Sequence, residues 1–122
     1  MPAPNLAVLR RRAEFLAVAK HGRKWVTPGF ILQLCPAPDA DKDLIRYGLT
    51  ATIKSVGNAV QRNRARRRLR ALAREALLEN AMPGHDYVLI ARNETGTHDY
   101  AQMKKDLVWA LKKTGTCREK TG

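Results

Sequence analysis

Apolar residues at helical spacing predict a helix near the start of the chain. Between Arg11 and Lys20, the side chains of Phe15, Leu16 and Ala19 share one face. The His-Gly pair that follows is typical of a helix C-terminus. We therefore expect a first helix that packs inward through this face.

Three strands are predicted after the first helix. Trp25–Val26 favours a short strand, Phe30–Cys35 favours a longer one, and the proline- and aspartate-rich segment Pro36–Asp43 is typical of a hairpin loop. From Leu44 to Lys54, apolar and polar residues alternate, as in a strand with one buried face and one open face. The apolar face would hold Ile45, Tyr47, Leu49, Ala51 and Ile53, and the polar face Arg46, Thr50, Thr52 and Lys54.

A long helix, a strand and a final helix complete the predicted order. Asn58 is a suitable N-cap for the long helix, Gln61 stands where a capping box needs it, and Met82-Pro83-Gly84 ends the pattern. The apolar run Asp86–Arg92 predicts a strand covered on both faces, and Tyr100–Lys113 predicts an amphipathic helix. The inward residues of this last helix would be Met103, Leu107 and Leu111.

The predicted order αβββαβα is that of a small α/β (α+β) sandwich. The 122 residues suffice for one domain with one core. We place the domain at residues 9–113, between a flexible N-terminus, residues 1–8, and a disordered C-terminal tail, residues 114–122.

The long helix combines an apolar stripe with arginines of uncompensated charge. The stripe holds Ala65, Leu69, Leu72 and Ala76, and the opposite side holds Asn63, Arg66, Arg67, Arg70 and Arg74. No acid occurs between Lys54 and Glu75, so neighbouring arginines repel one another unless an anion is bound. The alternative is an ordinary solvated basic face. The density of a single charge sign favours nucleic acid.

The composition supports an anionic partner and a reduced compartment. The chain has 23 Lys and Arg against 11 Asp and Glu, a formal net charge of +12. Cys35 and Cys117 are far apart and lack Cys-x-x-Cys spacing, which favours a reduced, cytoplasmic protein. The N-terminus has no signal-type apolar core, and no apolar run approaches the roughly 20 residues of a membrane span. We therefore expect no membrane partner.

Residue patterns that would indicate catalysis by the protein itself are weak. His21, His85 and His98 are not at metal-ligand spacings, and helix capping or loop solvation explains the aspartates beside them, Asp86 and Asp99. Cys35 has no histidine fixed beside it by sequence, which favours a structural cysteine over a nucleophile. We therefore assign no catalytic residue and no metal ligand to the protein.

The motif at the start of the arginine-rich helix resembles the protein subunit of bacterial ribonuclease P. The segment Val56–Arg64 reads Val-Gly-Asn-Ala-Val-Gln-Arg-Asn-Arg, and Arg-Asn-Arg after such a turn is the hallmark of that family. Three further segments look like the family in the same order: Leu9–Phe15, Arg46–Thr50 and Asp86–Arg92. The resemblance covers roughly residues 9 to 113.

The resemblance implies a fold, a function and a set of partners. It implies a left-handed βαβ crossover at the arginine-rich helix, which periodicity cannot reveal. It also implies a protein monomer within a ribonucleoprotein, the accessory subunit of an endoribonuclease that removes the 5′ leader of precursor tRNA. The catalytic RNA would hold the Mg²⁺ and perform the cleavage, while the protein would bind the leader in a cleft between the first helix and the sheet.

Site residues follow from matching family positions. The leader-cleft residues would be Phe15, Lys20, Thr50, Thr52, Lys54, Asn63, Arg66 and Arg70. The residues facing the RNA subunit or its phosphates would be Arg11, Arg12, Arg62, Arg64, Arg67, Arg68 and Arg74. From the sequence alone, Phe15 could equally be a core residue, and the threonines and Lys54 could belong to a merely solvated strand face.

Three departures from the family and three competing functions are open at this stage. Ile53-Lys54-Ser55 stands where relatives usually carry a Lys-Lys pair before the Val-Gly turn. Ala19 and Gln33 stand where many relatives carry aromatic residues, so base stacking in the cleft would be weaker. A general RNA-binding module without an enzyme partner fits the composition equally well. A DNA-binding regulator would offer more base-reading polar residues, and an independent protein nuclease would need catalytic groups.

Overall fold

A five-stranded sheet forms the centre of the protein, which the computed structural model describes at residues 5–37 and 43–118. The strands are β1 (Asn5–Val8), β2 (Arg23–Val26), β3 (Phe30–Pro36), β4 (Leu44–Thr50) and β5 (His85–Ala91). The helices are α1 (Arg12–His21), α2 (Ile53–Val56), α3 (Ala59–Leu72), a π-helical turn (Ala73–Leu77), α4 (Leu78–Asn80) and α5 (Tyr100–Lys113). No helix within these two ranges is long and apolar enough to cross a membrane.

The sheet is mixed, with strand order β1-β4-β5-β3-β2. The pairs β1–β4 and β4–β5 are parallel, and β5–β3 and β3–β2 are antiparallel. The parallel pair β4–β5 is joined by the helical segment 53–80, since parallel strands need a long crossover. The predicted α+β class is confirmed, as is the order of its elements from α1 onward.

The two faces of the sheet are covered differently. On the first face, Phe30, Leu32 and Leu34 of β3 form the main core with side chains from α3 and α5. On the second face, a smaller cluster of Leu9 and Val18 packs on Val88 of β5. Because side chains alternate along a strand, α1 lies on the side opposite to α3 and α5. We call the second face the α1 face.

The long helix, residues 59–80, begins as the sequence predicts. The Asn58 side chain accepts a hydrogen bond from the Gln61 amide, and the Gln61 side chain accepts one from the Asn58 amide, both at 3.0 Å. Within the helix, Ala65, Leu69 and Leu72 are fully buried. This apolar stripe attaches the helix to the sheet and leaves the arginines outside.

A π-helical turn interrupts the long helix after its arginine-rich part. The Leu78 amide donates to the Ala73 carbonyl, five residues earlier. Ala73 and Leu77 in this turn are buried in the core beside Leu72 and Ala76. The sequence pattern alone predicted an uninterrupted helix.

Both ends of the domain are more ordered than the sequence predicted. Residues 5–8, placed in a flexible N-terminus, form β1 and pair with Leu44–Tyr47 of β4. In the predicted disordered tail, Thr114 and Thr116 are buried, and the Met82 amide donates to the Thr116 carbonyl at 2.8 Å. The remaining tail positions, 119–122, lie outside the described residues, as do residues 1–4.

In two elements, the residues that are buried differ from those that the sequence predicted. In α1 the buried residue is Val18, whereas Leu16 and Ala19 are exposed. Strand β4 ends at Thr50, and Ile53, predicted to be inward, is exposed in α2. Hydrogen bonds from Val56 and Gly57 to carbonyls four residues earlier form this helical turn, and they override the alternating pattern.

Candidate nucleic-acid interface

The outer side of α3 carries a dense group of arginines. Arg64, Arg67 and Arg70 are exposed, as is Arg74 in the π turn, and Arg62 and Arg66 are half-buried. Within residues 5–37 and 43–118, no carboxylate forms a salt bridge with any of them. The positive charge of this surface is therefore available to an external anion. We call these six residues, together with Asn63, the arginine surface.

Arg66 connects the arginine surface to the end of the sheet. Its guanidinium donates to the Ala51 carbonyl at 3.4 Å, just beyond the last residue of β4. Asn63 and Arg70 are exposed on the same helix. The arginine surface thus extends from the outer side of α3 to the C-terminal end of β4.

The side chain of Arg68, which the sequence assigned to the RNA subunit, contacts the protein itself. Its guanidinium donates to the Gly96 carbonyl at 3.2 Å and to the His98 carbonyl, and it lies 5.7 Å from the centre of the Tyr100 ring. These contacts hold the loop before α5 against α3. Helical periodicity could not reveal this, because the acceptors are backbone carbonyls of a distant loop.

Phe15 lies half-buried on the α1 face and packs with the cluster around Val18. Its ring rests on the backbone of Gly48 in β4. A Cβ atom at position 48 would lie 2.5 Å from Phe15 Cζ, far inside normal contact distance. The Phe15 side chain thus belongs to a small core, and part of its surface is exposed.

Beyond the α1 cluster, the α1 face is open. A cavity of about 760 Å³ lies there, with Val26, Ile31 and Ile90 among its apolar lining and Lys54 and Arg92 among its charged lining. Ile90 also packs against the cluster that contains Phe15, so the cavity adjoins α1. We call this open surface the sheet groove.

The predicted cleft residues are divided between the two sides of the sheet. Thr50 is the Cα partner of Ile90, whose side chain lines the groove, and Lys54 lies on α2 at its edge. Thr52 and Lys54 lie beyond the end of β4, so they do not form the strand face that the sequence predicted. Lys20 is exposed at the C-terminal end of α1. Lys54 in the groove lining and Arg66, through the Ala51 carbonyl, both lie near the C-terminal end of β4.

An ion-pair network joins α1 to the central strands. Arg46 donates to both carboxylate oxygens of Asp86 at 2.6 and 2.7 Å, and its guanidinium lies 3.6 Å from Glu14. Hydrogen bonds from the Arg11 and Arg10 amides, together with the Arg46 charge, lower the pKa of Glu14. Asp86 was expected to cap or solvate a loop, and that expectation is wrong. Arg11 and Arg12 are exposed, and they therefore lie at the start of a helix that the Glu14–Arg46 ion pair holds against the sheet.

The sequence did not single out the groove's apolar floor or Lys24. Val26 and Ile31 face each other on β2 and β3, and Lys24 pairs with Gln33 in the same ladder. By strand alternation, Lys24 and Gln33 stand on the α1 face. The pairing of β2 with β3 could have identified this face, because the register of the two strands determines which of their residues lie on the same side of the sheet.

The described residues offer no metal-binding donor set. Within residues 5–37 and 43–118, no group of three or more His, Cys, Asp or Glu side chains is arranged to hold a metal ion. The charged groups of the site are mainly guanidinium and ammonium groups beside an apolar floor, and Glu94 is also in the lining of the groove. Such groups bind and neutralise anions rather than activate water.

Comparison with known sequences identifies one family. The family model described as Ribonuclease P matches residues 3–115. The chain is similar to the ribonuclease P protein component of Paramagnetospirillum magneticum, with 45% identity across 96% of this chain and 89% of the relative. It is also similar to that of Gluconacetobacter diazotrophicus, with 47% identity across 88% of this chain and 90% of the relative.

Solved structures agree with the fold. The RNase P protein from Thermotoga maritima matches with a TM-score of 0.69 and 27% identity, covering 86% of this chain and 94% of the other. The Staphylococcus aureus RNase P protein matches with a TM-score of 0.72 and 23% identity, covering 91% and 97%. The second likeness concerns the fold alone.

We predict that Arg68 stabilises the fold, whereas its neighbour Arg67 does not. Arg68→Met should lower the free energy of unfolding by about 1–3 kcal/mol, because partly buried carbonyls lose a charged donor. Arg67→Met, at an exposed position, should change it by less than about 0.5 kcal/mol. Urea unfolding of both variants measures the difference. Equal effects would show that the loop contacts of Arg68 contribute nothing.

We also predict that Gly48 and Phe15 are energetically coupled. Gly48→Ala should destabilise the protein by about 1–3 kcal/mol, because the new methyl group overlaps the Phe15 ring. In a Phe15→Leu background the same change should cost less, because the ring is absent. A double-mutant cycle from chemical unfolding measures the coupling. Strict additivity would contradict the contact.

Proposed function

Because the chain belongs to the ribonuclease P protein family, we propose that it is the accessory protein subunit of the ribonuclease P ribonucleoprotein. In this role it binds the catalytic RNA and the 5′ leader of precursor tRNA, and it assists endonucleolytic removal of the leader. The observation that carries the proposal is the arginine surface, whose charge has no carboxylate partner among the described residues and which adjoins an open groove.

The outward arginines suit the phosphates of a folded RNA. Arg62, Arg64, Arg67 and Arg74 lie along the exposed or half-exposed side of the long helix, and Arg11 and Arg12 lie exposed before and at the start of α1. Guanidinium groups bind phosphate oxygens through paired hydrogen bonds and keep their charge at all physiological pH values. These residues therefore contact the RNA subunit. Arg68 is left out of this set because its donors are used internally.

The sheet groove suits a single-stranded leader. Bases of any sequence can stack on Phe15 and pack against the apolar floor of Val26, Ile31 and Ile90. Lys54 at the edge offers charge to the backbone, with Lys20, Thr50 and Thr52 as further polar contacts. The leader leaves the groove at the end of β4, where Asn63, Arg66 and Arg70 meet its phosphates.

Magnesium belongs to the RNA in this proposal. The protein side of the interface has no cluster of carboxylate, histidine or cysteine ligands among the described residues, so its donor set does not fit a Mg²⁺ ion. The protein's contribution is electrostatic. Neutralising phosphate repulsion between two RNAs lowers the concentration of divalent cation that their association needs. We place the protein as a monomer in a cytoplasmic ribonucleoprotein.

A general RNA-binding module without an enzyme partner is the competing function, and a cleavage assay separates the two. We expect leader-bearing precursor tRNA to be cut at the mature 5′ end, at low Mg²⁺, only when the protein and a bacterial ribonuclease P RNA are mixed. Neither component alone should cut at that Mg²⁺ concentration. Absence of enhancement with a well-folded RNA would favour the general module, and cleavage by the protein alone would reject both.

A second prediction concerns leader recognition. Arg66→Ala with Arg70→Ala should weaken binding of leader-bearing precursor by the holoenzyme about tenfold or more, and leave binding of mature tRNA almost unchanged. The matched control is Arg64→Ala with Arg67→Ala, which should weaken assembly with the RNA subunit instead. Filter binding at fixed salt measures both. Equal losses on precursor and mature tRNA would argue against a leader groove that ends at Arg66.

A further inference from the structure

A second basic surface lies on α5, away from the residues used above. Trp109 is 55% exposed, an unusual position for so large an aromatic side chain. Lys105, Lys112 and Lys113 are exposed on the same helix, at spacings of four, three and four residues from Trp109. These spacings place all four residues on one side of the helix. We call them the Trp109 surface.

The exposed Trp109 ring lies against a cation. Lys113 Nζ lies 4.6 Å from the centre of the ring. Beside the ring, a cavity of about 400 Å³ is lined by Lys105 and Val108 of α5 and by Glu75, Ala76 and Glu79 of the long helix. A flat group could therefore lie along the indole while neighbouring ammonium groups remain within reach.

Four lysines and three carboxylates stand around this surface, so its net charge is positive. Glu75 accepts a hydrogen bond from the Tyr100 hydroxyl and lies 4.0 Å from Lys104, and Asp106 accepts a hydrogen bond from Gln102 at 2.9 Å. Glu79 also lines the cavity and has an interaction of its own. By contrast, no salt bridge within the described ranges involves Lys105, Lys112 or Lys113.

The Trp109 surface lies on the opposite side of the sheet from the groove. Helix α5 packs through Met103, Leu107 and Leu111 into the main core, whereas the groove and Phe15 belong to the α1 face. A single strand seated in the groove cannot also lie on Trp109 without passing around the domain. A segment bound at the Trp109 surface is therefore separate from the strand bound in the groove.

We propose that the Trp109 surface is a second RNA-binding site, which takes an unpaired nucleotide. Its base stacks on the indole in place of the Lys113 ammonium, and the adjoining phosphates pair with Lys105, Lys112 and Lys113. An exposed aromatic ring among ammonium groups matches the two parts of a nucleotide, a flat base and an anionic backbone. An acidic protein segment would use the lysines but would leave the ring unused.

The test uses Trp109 as its own reporter. The chain has two tryptophans, so Trp25→Phe leaves Trp109 as the only one. We expect a short oligoadenylate to quench its fluorescence saturably, and the quenching to persist when Arg66→Ala and Arg70→Ala are added. Heparin and polyglutamate, polyanions without bases, should not quench. Absence of quenching by the oligoadenylate, or equal quenching by either polyanion, would overturn the proposal.

A lysine variant provides the matched control. Lys105→Ala with Lys112→Ala should make the salt dependence of oligoadenylate binding at Trp109 shallower by about 1.4 in log–log slope, the value for two lost phosphate contacts. An unchanged slope would exclude these lysines. Should Trp25→Phe fail to fold, 5-fluorotryptophan in the unaltered sequence resolves both indoles, and only the Trp109 resonance should shift. These readouts need no catalytic RNA, so they are independent of the cleavage assay.

Discussion

The rest of the structure depends on one constraint: a helix whose outer side carries charge of a single sign must pack on the sheet. Ala65, Leu69 and Leu72 must bury enough apolar surface to hold α3 on the sheet against repulsion among its arginines. Two contacts at the ends of the arginine-rich part support this packing: the capping box at Asn58, and the Arg68 guanidinium on the loop before α5. Arg68 is thus used for stability and Arg66 also donates to a backbone carbonyl, whereas the exposed Arg64, Arg67, Arg70 and Arg74 keep their charge open to an external anion.

The groove results from unequal coverage of the two sheet faces. Helix α1 has 10 residues and spans about 15 Å, whereas a strand of 7 residues such as β3 spans about 23 Å. One short helix cannot cover the whole face, so Ile31 and Ile90 remain accessible. The ion pairs of Arg46 with Asp86 and Glu14 fix where α1 starts. The open groove therefore follows from the length of α1 and from where its first turn is anchored.

Local chemistry made most elements predictable, and long-range contacts explain the errors. Asn58 with Gln61, the apolar run of β5 and the stripe of α5 are signals contained within single segments. Strand β1 was missed because four residues carry little pattern until they pair with β4. Lys54 was misplaced because alternation continued past the true end of a strand. The internal contacts of Arg68 were missed because its acceptors are backbone carbonyls some 30 positions away.

The π-helical turn after α3 limits the number of residues that this part of the chain can have. Each residue in a helix turns the chain by about 100°, so the extra residue at Ala73–Leu77 sets the phase between the arginines and the segment that leads to β5. Losing one residue there would regularise the helix, but it would turn the segment that follows by about 100° relative to the arginines and take Leu77 out of its place in the core. The length of this turn is therefore constrained in this chain even where its side chains are replaceable.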